Sequence, residues 1–520
     1  MVYCPLVRFH SGRYARQPHD GQQSRYCVST STPKDDTPED WASTLAAIVV
    51  SENALAELGP MKLSLTLQSC TRSQYFRSQS GWPTVDKAFS AVAACLVVPA
   101  NLQKFNSQDL VLTLKAIERF MKERSHRQRR KEHRMSSESS PVLPQDHSIE
   151  ACSNILSSLR GKLSYRTPLR EFGMTLSSIV SIEPLRNNEI TKDIIAHILA
   201  CIKEGHRNRS LVSSSAKLGE EAFGQGLANV AMALAKLRFE DAAFMNILAD
   251  IVGDSVERLS LIDIGQISFA FGKLHIESSD AVFAMFGHIA ERVADEEESL
   301  SKHLPTACSL LYAMHRLGLE CPEFSNMVAA ILLPAVDLLD GNQLLLILPA
   351  CRRLSGPGQD SSEGSNVSCG RLYRSAGRAF AKRAPLLPVG ILIQGCASIH
   401  PSDLEDIAQQ LRHRGNATWV YHARYGVSII LALFRNIMEA EGQQTNPGPE
   451  TTELIREICR HFVKDPRLMS ELTADHREVS ATDVTTLVVL SGIGRPEECP
   501  ASKYDGLSPV VIIMCRRFRN

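Results

Sequence analysis

None of the 14 cysteines stands in a C-x-x-C pair, which removes the spacings of zinc ribbons, zinc fingers and thioredoxin-type redox sites. Scattered single thiols in a chain of 520 residues read as reduced and mostly buried, so a disulfide framework is not expected. Aromatic residues make up only 6%, which is little for a β-sandwich or barrel. Net charge is missing too. The 57 Lys+Arg balance 57 Asp+Glu, so any charged function has to be local. The apolar runs at 385–393 and 509–515 fall short of the roughly 18–20 residues that cross a bilayer. The longer stretch 328–350 is broken by Pro334, Asp337, Asp340 and Pro349, and no membrane span is expected.

Catalytic signatures are absent as well. The phosphate loop G-x-x-x-x-G-K-[ST], the dinucleotide turn G-x-G-x-x-G, the elbow G-x-S-x-G and the zinc helix H-E-x-x-H do not occur. The 16 histidines are dispersed, and the acidic run 295–298 lacks the spacing of a calcium loop. The chain therefore reads as non-enzymatic, with no catalytic residue, no metal and no cofactor assigned.

What is present is 44% hydrophobic residues, enough for a sizeable core, in a composition rich in helix formers. The expected fold class is all-α. The segment 281–293 illustrates the pattern: Val282, Phe283, Phe286, Ile289 and Val293 recur at helical spacing, with Ser278, Ser279 and Asp280 ahead of them as N-cap candidates. Pro, Gly and Ser clusters punctuate the chain. They divide it into a basic N-terminal segment 1–40, helical hairpins with a basic extension over 41–135, a linker 136–147, central repeats 148–354, a linker 355–370, further repeats 371–440, a linker 441–450 and a C-terminal helical region 451–520.

A repeated phrase organises the centre. Ala233-x-x-Lys236-Leu237 returns after 37 residues as Ala270-x-x-Lys273-Leu274, after 43 more as Ala313-x-x-Arg316-Leu317, and after another 37 as Ala350-x-x-Arg353-Leu354. An apolar helix precedes each copy, and a polar turn with a second amphipathic helix follows the first three. Two helices per unit of about 37–43 residues is the arithmetic of an α-solenoid, whose hairpins bury their apolar faces only against neighbours. The small alanine lets adjacent helices approach closely. Ala116-x-x-Arg119-Phe120 fits the phrase 117 residues upstream of Ala233, close to three repeat lengths. Tetratricopeptide repeats would want a Trp-Leu-Gly-Tyr pattern that is missing, whereas HEAT or armadillo arrays fit the same arithmetic.

The phrases 225–237 (QGLANVAMALAKL) and 264–274 (IGQISFAFGKL) resemble the repeats of organellar heptatricopeptide and octotricopeptide repeat proteins, and the helical region of the Fas-activated kinase-like proteins. That resemblance covers about 130 residues closely. It implies an α-solenoid acting on organellar RNA, in transcript stability, processing or translation, or inside a mitochondrial ribosome. Many relatives end in a RAP module, which the stretch 507–519 does not match.

Stacked repeats would set Lys236, Lys273, Arg316 and Arg353 in a row able to track a phosphate backbone. Against this, a cation in the last turn of a helix is favoured by the helix dipole whatever the protein does. The run 122–134 holds seven Lys or Arg against two Glu; it reads equally as an RNA-contacting arm, with Arg127, Arg129, Arg130 and Lys131 as candidates, and as a solvated loop leading into the Ser-rich linker. Arg374 and Arg378 form a third cluster with Tyr373 and Phe380 interleaved, which reads first as a surface helix with a buried aromatic stripe and otherwise as guanidinium and aromatic planes that stack on unpaired bases. Trp419, Tyr421 and Arg424, and then Arg516, Arg517 and Arg519, add further basic groups. The opening 33 residues contain Arg8, Arg13, Arg16 and Arg25 but one acid, Asp20, which resembles a transit segment. The expectation is an RNA-binding helical-repeat protein of the mitochondrial matrix, or of a plastid, bound to rRNA or mRNA and to other proteins of a ribonucleoprotein complex. The alternative is a protein-binding scaffold of the HEAT or armadillo type.

Overall fold

The computed structural model describes residues 54–132, 147–186, 188–208, 220–274, 279–355, 367–396, 398–399 and 401–418, together with 44–46, 48 and 454. The transit-like segment, the linker 441–450, nearly all of the region 451–520 and the basic groups from Trp419 onward lie outside the described residues.

Every long element is a helix: α1 (Ala54–Cys70), α2 (Trp82–Leu96), α3 (Ser107–Glu132), α4 (Ser148–Arg160), α5 (Leu169–Ser181), α6 (Glu189–Arg207), α7 (Glu220–Leu237), α8 (Ala242–Ser255), α9 (Leu261–Leu274), α10 (Asp280–Ala294), α11 (Leu304–Leu317), α12 (Pro322–Leu332), α13 (Gly341–Ser355), α14 (Val367–Arg383), α15 (Val389–Cys396) and α16 (Pro401–Thr418). No strand occurs among the described residues. Odd-numbered helices pack on odd-numbered ones in unbroken succession from α1 to α15. Even-numbered helices do the same from α2 to α16, α10 meeting α12 through the short helix Glu297–Ser301. The chain thus zigzags between two layers, the arrangement of an all-α solenoid.

Local chemistry sets the element ends. Ser260 and Asp263 form a reciprocal capping box at the start of α9, each accepting the other's backbone N–H at 3.2 Å. Asp340 and Gln343 do the same at α13, at 2.8 and 2.9 Å. Asp241 and Ser279 cap α8 and α10 through the N–H groups of Phe244 and Val282. At the other end, α11 closes with Gly318 in the left-handed region (φ 68°) and the N–H of Leu319 on Met314 O at 2.9 Å. The equivalent residue after α7 is Arg238, held at φ 53° while the Phe239 N–H reaches Leu234 O at 3.1 Å. A side chain in that conformation costs about 1–2 kcal/mol, so Arg238→Gly is expected to stabilise the chain by about 1 kcal/mol, read as a higher midpoint in urea unfolding.

The core repeats with the same period. Ala233, Ala270, Ala313 and Ala350 are all at most 2% exposed, and Ala313 sits where α9 offers Gly272, whose Cβ would lie 2.9 Å from the Ala313 Cα. The α5–α7 pair is tighter still, with a Cβ on Gly173 landing 2.7 Å from Gly226 O. The alanine is small for the reason read from the sequence. Ala313→Leu is expected to cost about 1–3 kcal/mol by overpacking, measured as a lower Tm.

Three features depart from the sequence reading. Phe283 is 37% exposed, and Met285 takes its place beside Val282, Phe286, Ile289 and Val293, because a residue 100° round from Val282 falls off a stripe centred between Val282 and Phe286. Ala116 and Ala233 are two layer steps apart, through α5, not three; the 26 residues of α3 and the segments 133–146 and 209–219 lengthen each step. Finally, α13 packs on α14, so the fourth copy has its second helix as well.

Candidate nucleic-acid interface

The four repeated cations fall in the last turns of α7, α9, α11 and α13, helices that pack side by side in that order. Lys236 and Lys273 are exposed, and neither forms an ion pair or hydrogen bond among the described residues. Arg316 is half-buried, and its Nε has no hydrogen-bond partner. Arg353 is exposed, yet its Nη1 donates to His315 O of α11 at 3.2 Å. In α3, Arg119 behaves likewise, donating from Nη1 to Thr71 Oγ1 at 3.3 Å, just past the end of α1. A guanidinium is long and forked enough to reach the unpaired groups at the end of the preceding odd helix. Arg353 and Arg119 thus serve as ties between helices, whereas Lys236 and Lys273 remain open.

The row is not one cation per helix. The last turn of α5 has no basic residue, and α3 supplies two lysines over it. Lys115 Nζ donates to Ser177 Oγ of α5 at 3.2 Å. Lys115 and Lys122 each sit 2.6 Å from a different oxygen of Glu118, a carboxylate only 1% exposed. Ser178 of α5 donates to the same carboxylate at 3.0 Å. Burial alone would push Glu118 up, but the two ammonium groups and their hydrogen bonds hold it below the usual carboxyl range. Next along, Lys236 is held below the ordinary lysine range by partial burial and then by the fields of Lys122, Lys273 and Lys115. Sequence reasoning missed Lys115 and Glu118. The available signal was Lys115-x-x-Glu118-x-x-x-Lys122, a carboxylate at an apolar-face position with a cation one turn away on either side.

The other candidates occupy different ground. Arg127 is tied down: its Nε meets Glu123 Oε1 at 2.8 Å, its Nη2 donates to Arg77 O at 2.7 Å, and its guanidinium lies 4.5 Å from the Trp82 ring centroid. Arg129 and Arg130 are exposed on the same helix, with Lys131 one residue from its end. Arg374 and Arg378 are exposed on α14, in the even-numbered layer. There they act on Asp403 of α16, which burial nevertheless keeps above the usual carboxyl range. Tyr373 and Phe380 are buried and do not face bases. The ten candidates therefore do not share one surface.

Acidic groups define the opposite edge. The even-to-odd turns of the central repeats expose Glu257, Asp295, Glu297, Glu298, Asp337 and Asp340. Exposed Glu240 and Glu320 stand in the odd-to-even turns beside Lys236 and Arg316, and exposed Lys302 and Lys382 lie at the acidic edge, so neither edge carries charge of one sign alone. No group of three or more metal-ligating side chains occurs among the described residues, and no helix there is long and apolar enough to cross a membrane. No disulfide joins the described cysteines, and burial pushes Cys70, Cys308, Cys369 and Cys396 up to about 12, far from a reactive thiolate. No protein-family model matches the sequence, and comparison with curated proteins gives no match.

Proposed function

We propose that this chain is a non-enzymatic RNA-binding helical-repeat protein of the mitochondrion, related to the heptatricopeptide and octotricopeptide repeat proteins that its repeat wording resembles. The observation that carries this reading is the pair Lys236 and Lys273, exposed, without ion-pair partners among the described residues, and in register on packed neighbouring helices. An ammonium group held near like charges gains by meeting phosphate. Arg316 and Arg353 extend the row, and Lys115 and Lys122 begin it. The acidic groups on the far edge would repel RNA, which orients it to one side. Salt-dependent binding of single-stranded RNA to the full chain and to a ladder variant tests the proposal.

A second reading, a protein-binding solenoid, has its own support. Leu338 and Leu386 are 78% and 87% exposed at the ends of the 3-10 turns Leu333–Leu338 and Ala384–Leu386, in successive even-to-odd turns. A subunit of a mitochondrial ribosome would use both edges, RNA on the cationic one and protein on the other. Leu338→Asp with Leu386→Asp separates the roles: a partner held there is lost while RNA affinity stays unchanged.

A further inference from the structure

The odd-numbered helices carry a second pattern beside the cations. Counting back four residues from Lys273 and Arg316 gives Phe269 on α9 and Tyr312 on α11, and residues four apart share one face of a helix, a turn from each other. The two rings meet across the boundary between the helices, with centroids 5.3 Å apart and planes inclined by 30°. Tyr312 can lie so close because α9 offers Gly272 beside it, where a Cβ would come within 3.1 Å of Tyr312 Cε1. Both rings are half-buried, and neither belongs to the hydrophobic core or to the partly buried side chains that pack on it. Part of a large aromatic surface is thus left open to solvent without filling the core. Along each helix this step is bounded by polar residues, Gln266 and Ser309 one turn before it and the cations one turn after. A protein helix docks through an apolar stripe that continues from turn to turn, which a single pair of rings between polar groups does not offer. The equivalent residue is Met232 on α7 and Pro349 on α13, so the aromatic step is confined to the middle of the row.

We propose that Phe269 and Tyr312 form a stacking platform for an unpaired base of the RNA, whose adjoining phosphates meet Lys273 and Arg316. This rests on the RNA-binding reading above and deepens it, by assigning the contacts that favour a single strand. Ring and cation are one helical turn apart, about 5–6 Å between Cβ atoms, a span that the base and phosphate of one nucleotide can cover. Stacking on a side chain needs the open face of a base, which a duplex keeps covered by neighbouring pairs, whereas phosphates are open in both forms. The cations alone would therefore bind either form, and the platform selects the unpaired one. Because every base has a π face, the platform adds affinity with little sequence preference.

The test compares, by fluorescence anisotropy on the full chain, a short single-stranded RNA with an abasic oligonucleotide that has the same number of phosphates. The intact RNA should bind at least about tenfold more tightly. In the Phe269→Leu, Tyr312→Leu pair, which keeps apolar bulk but removes both rings, that preference should fall to about twofold or less, with abasic affinity and salt slope unchanged. Tyr312→Phe retains a ring and should keep the preference. Lys236→Glu with Lys273→Glu should weaken both oligonucleotides alike and preserve it. The rings lie outside the core, so the leucine pair should fold, and unchanged thermal melting confirms it; if the pair melts early, each single leucine variant replaces it, with the preference reduced at least about threefold. Equal, tight binding of both oligonucleotides by the wild type, or a preference that survives loss of both rings, would overturn the platform and leave the RNA-binding reading standing. Binding of neither would remove both.

Discussion

Changing Lys236, Lys273, Arg316 and Arg353 together to Glu is expected to lower affinity for single-stranded RNA by at least about 100-fold in low salt. Each phosphate neutralised on a single strand contributes about 0.7 to the slope of log K against log salt, so losing four contacts should flatten that slope by about 3. Charge reversal adds repulsion to the lost attraction. Because Arg353 also caps α11 through His315 O, the variant's melting curve is needed alongside. A Lys236→Glu, Lys273→Glu pair, which breaks no hydrogen bond or ion pair among the described residues, should retain wild-type stability and still lose about half of the slope change. Equal, weak binding by wild type and variant would remove the ridge as an RNA site.

Glu118→Ala should cost about 1–3 kcal/mol, because it leaves the buried Ser178 hydroxyl without an acceptor and the largely buried Lys115 without its carboxylate, while Lys122 stays hydrated. Glu118→Gln should cost less, since it keeps the shape and an acceptor. The pH dependence has a definite sign. The folded carboxyl lies below its unfolded value of about 4.3, so its stabilisation is complete above that value and disappears as pH falls through the folded one. Denaturant unfolding of the wild type should therefore weaken on acidification below about pH 4, and Glu118→Ala should lack that share of the decline. Identical acid profiles would show that the carboxylate is not stabilised by its lysines in the fold.

The all-α zigzag was legible because it is written in periodicities: buried leucines, isoleucines and alanines at helical spacing, and a phrase returning every 37 or 43 residues. Local chemistry was legible too, as Ser279 ahead of α10 illustrates. What stayed hidden depends on which helices become neighbours. Nothing in the sequence of α3 says that Lys115 meets Ser177, 62 residues away along the chain, or that Arg127 is occupied by Trp82 and the carbonyls of Arg77 and Ser78. The 117 residues from Ala116 to Ala233 span two steps of the odd-numbered layer, through α5, which spacing alone does not show. The repeated cations fall in the last turns of successive odd helices, but that Arg353 ties back to α11 while Lys236 and Lys273 stay open rests on side-chain reach, which a motif does not encode.

The central claim is that RNA lies along the ends of the odd-numbered helices. Ultraviolet crosslinking of the full chain to single-stranded RNA, with adducts located by mass spectrometry, tests it most directly. Adducts should fall in and beside the last turns of α7, α9, α11 and α13 and around Lys115 and Lys122 of α3, and should be missing from the acidic turns around Glu257, Asp295 and Asp337. Adducts confined to those acidic turns, or spread evenly over both edges, would contradict it.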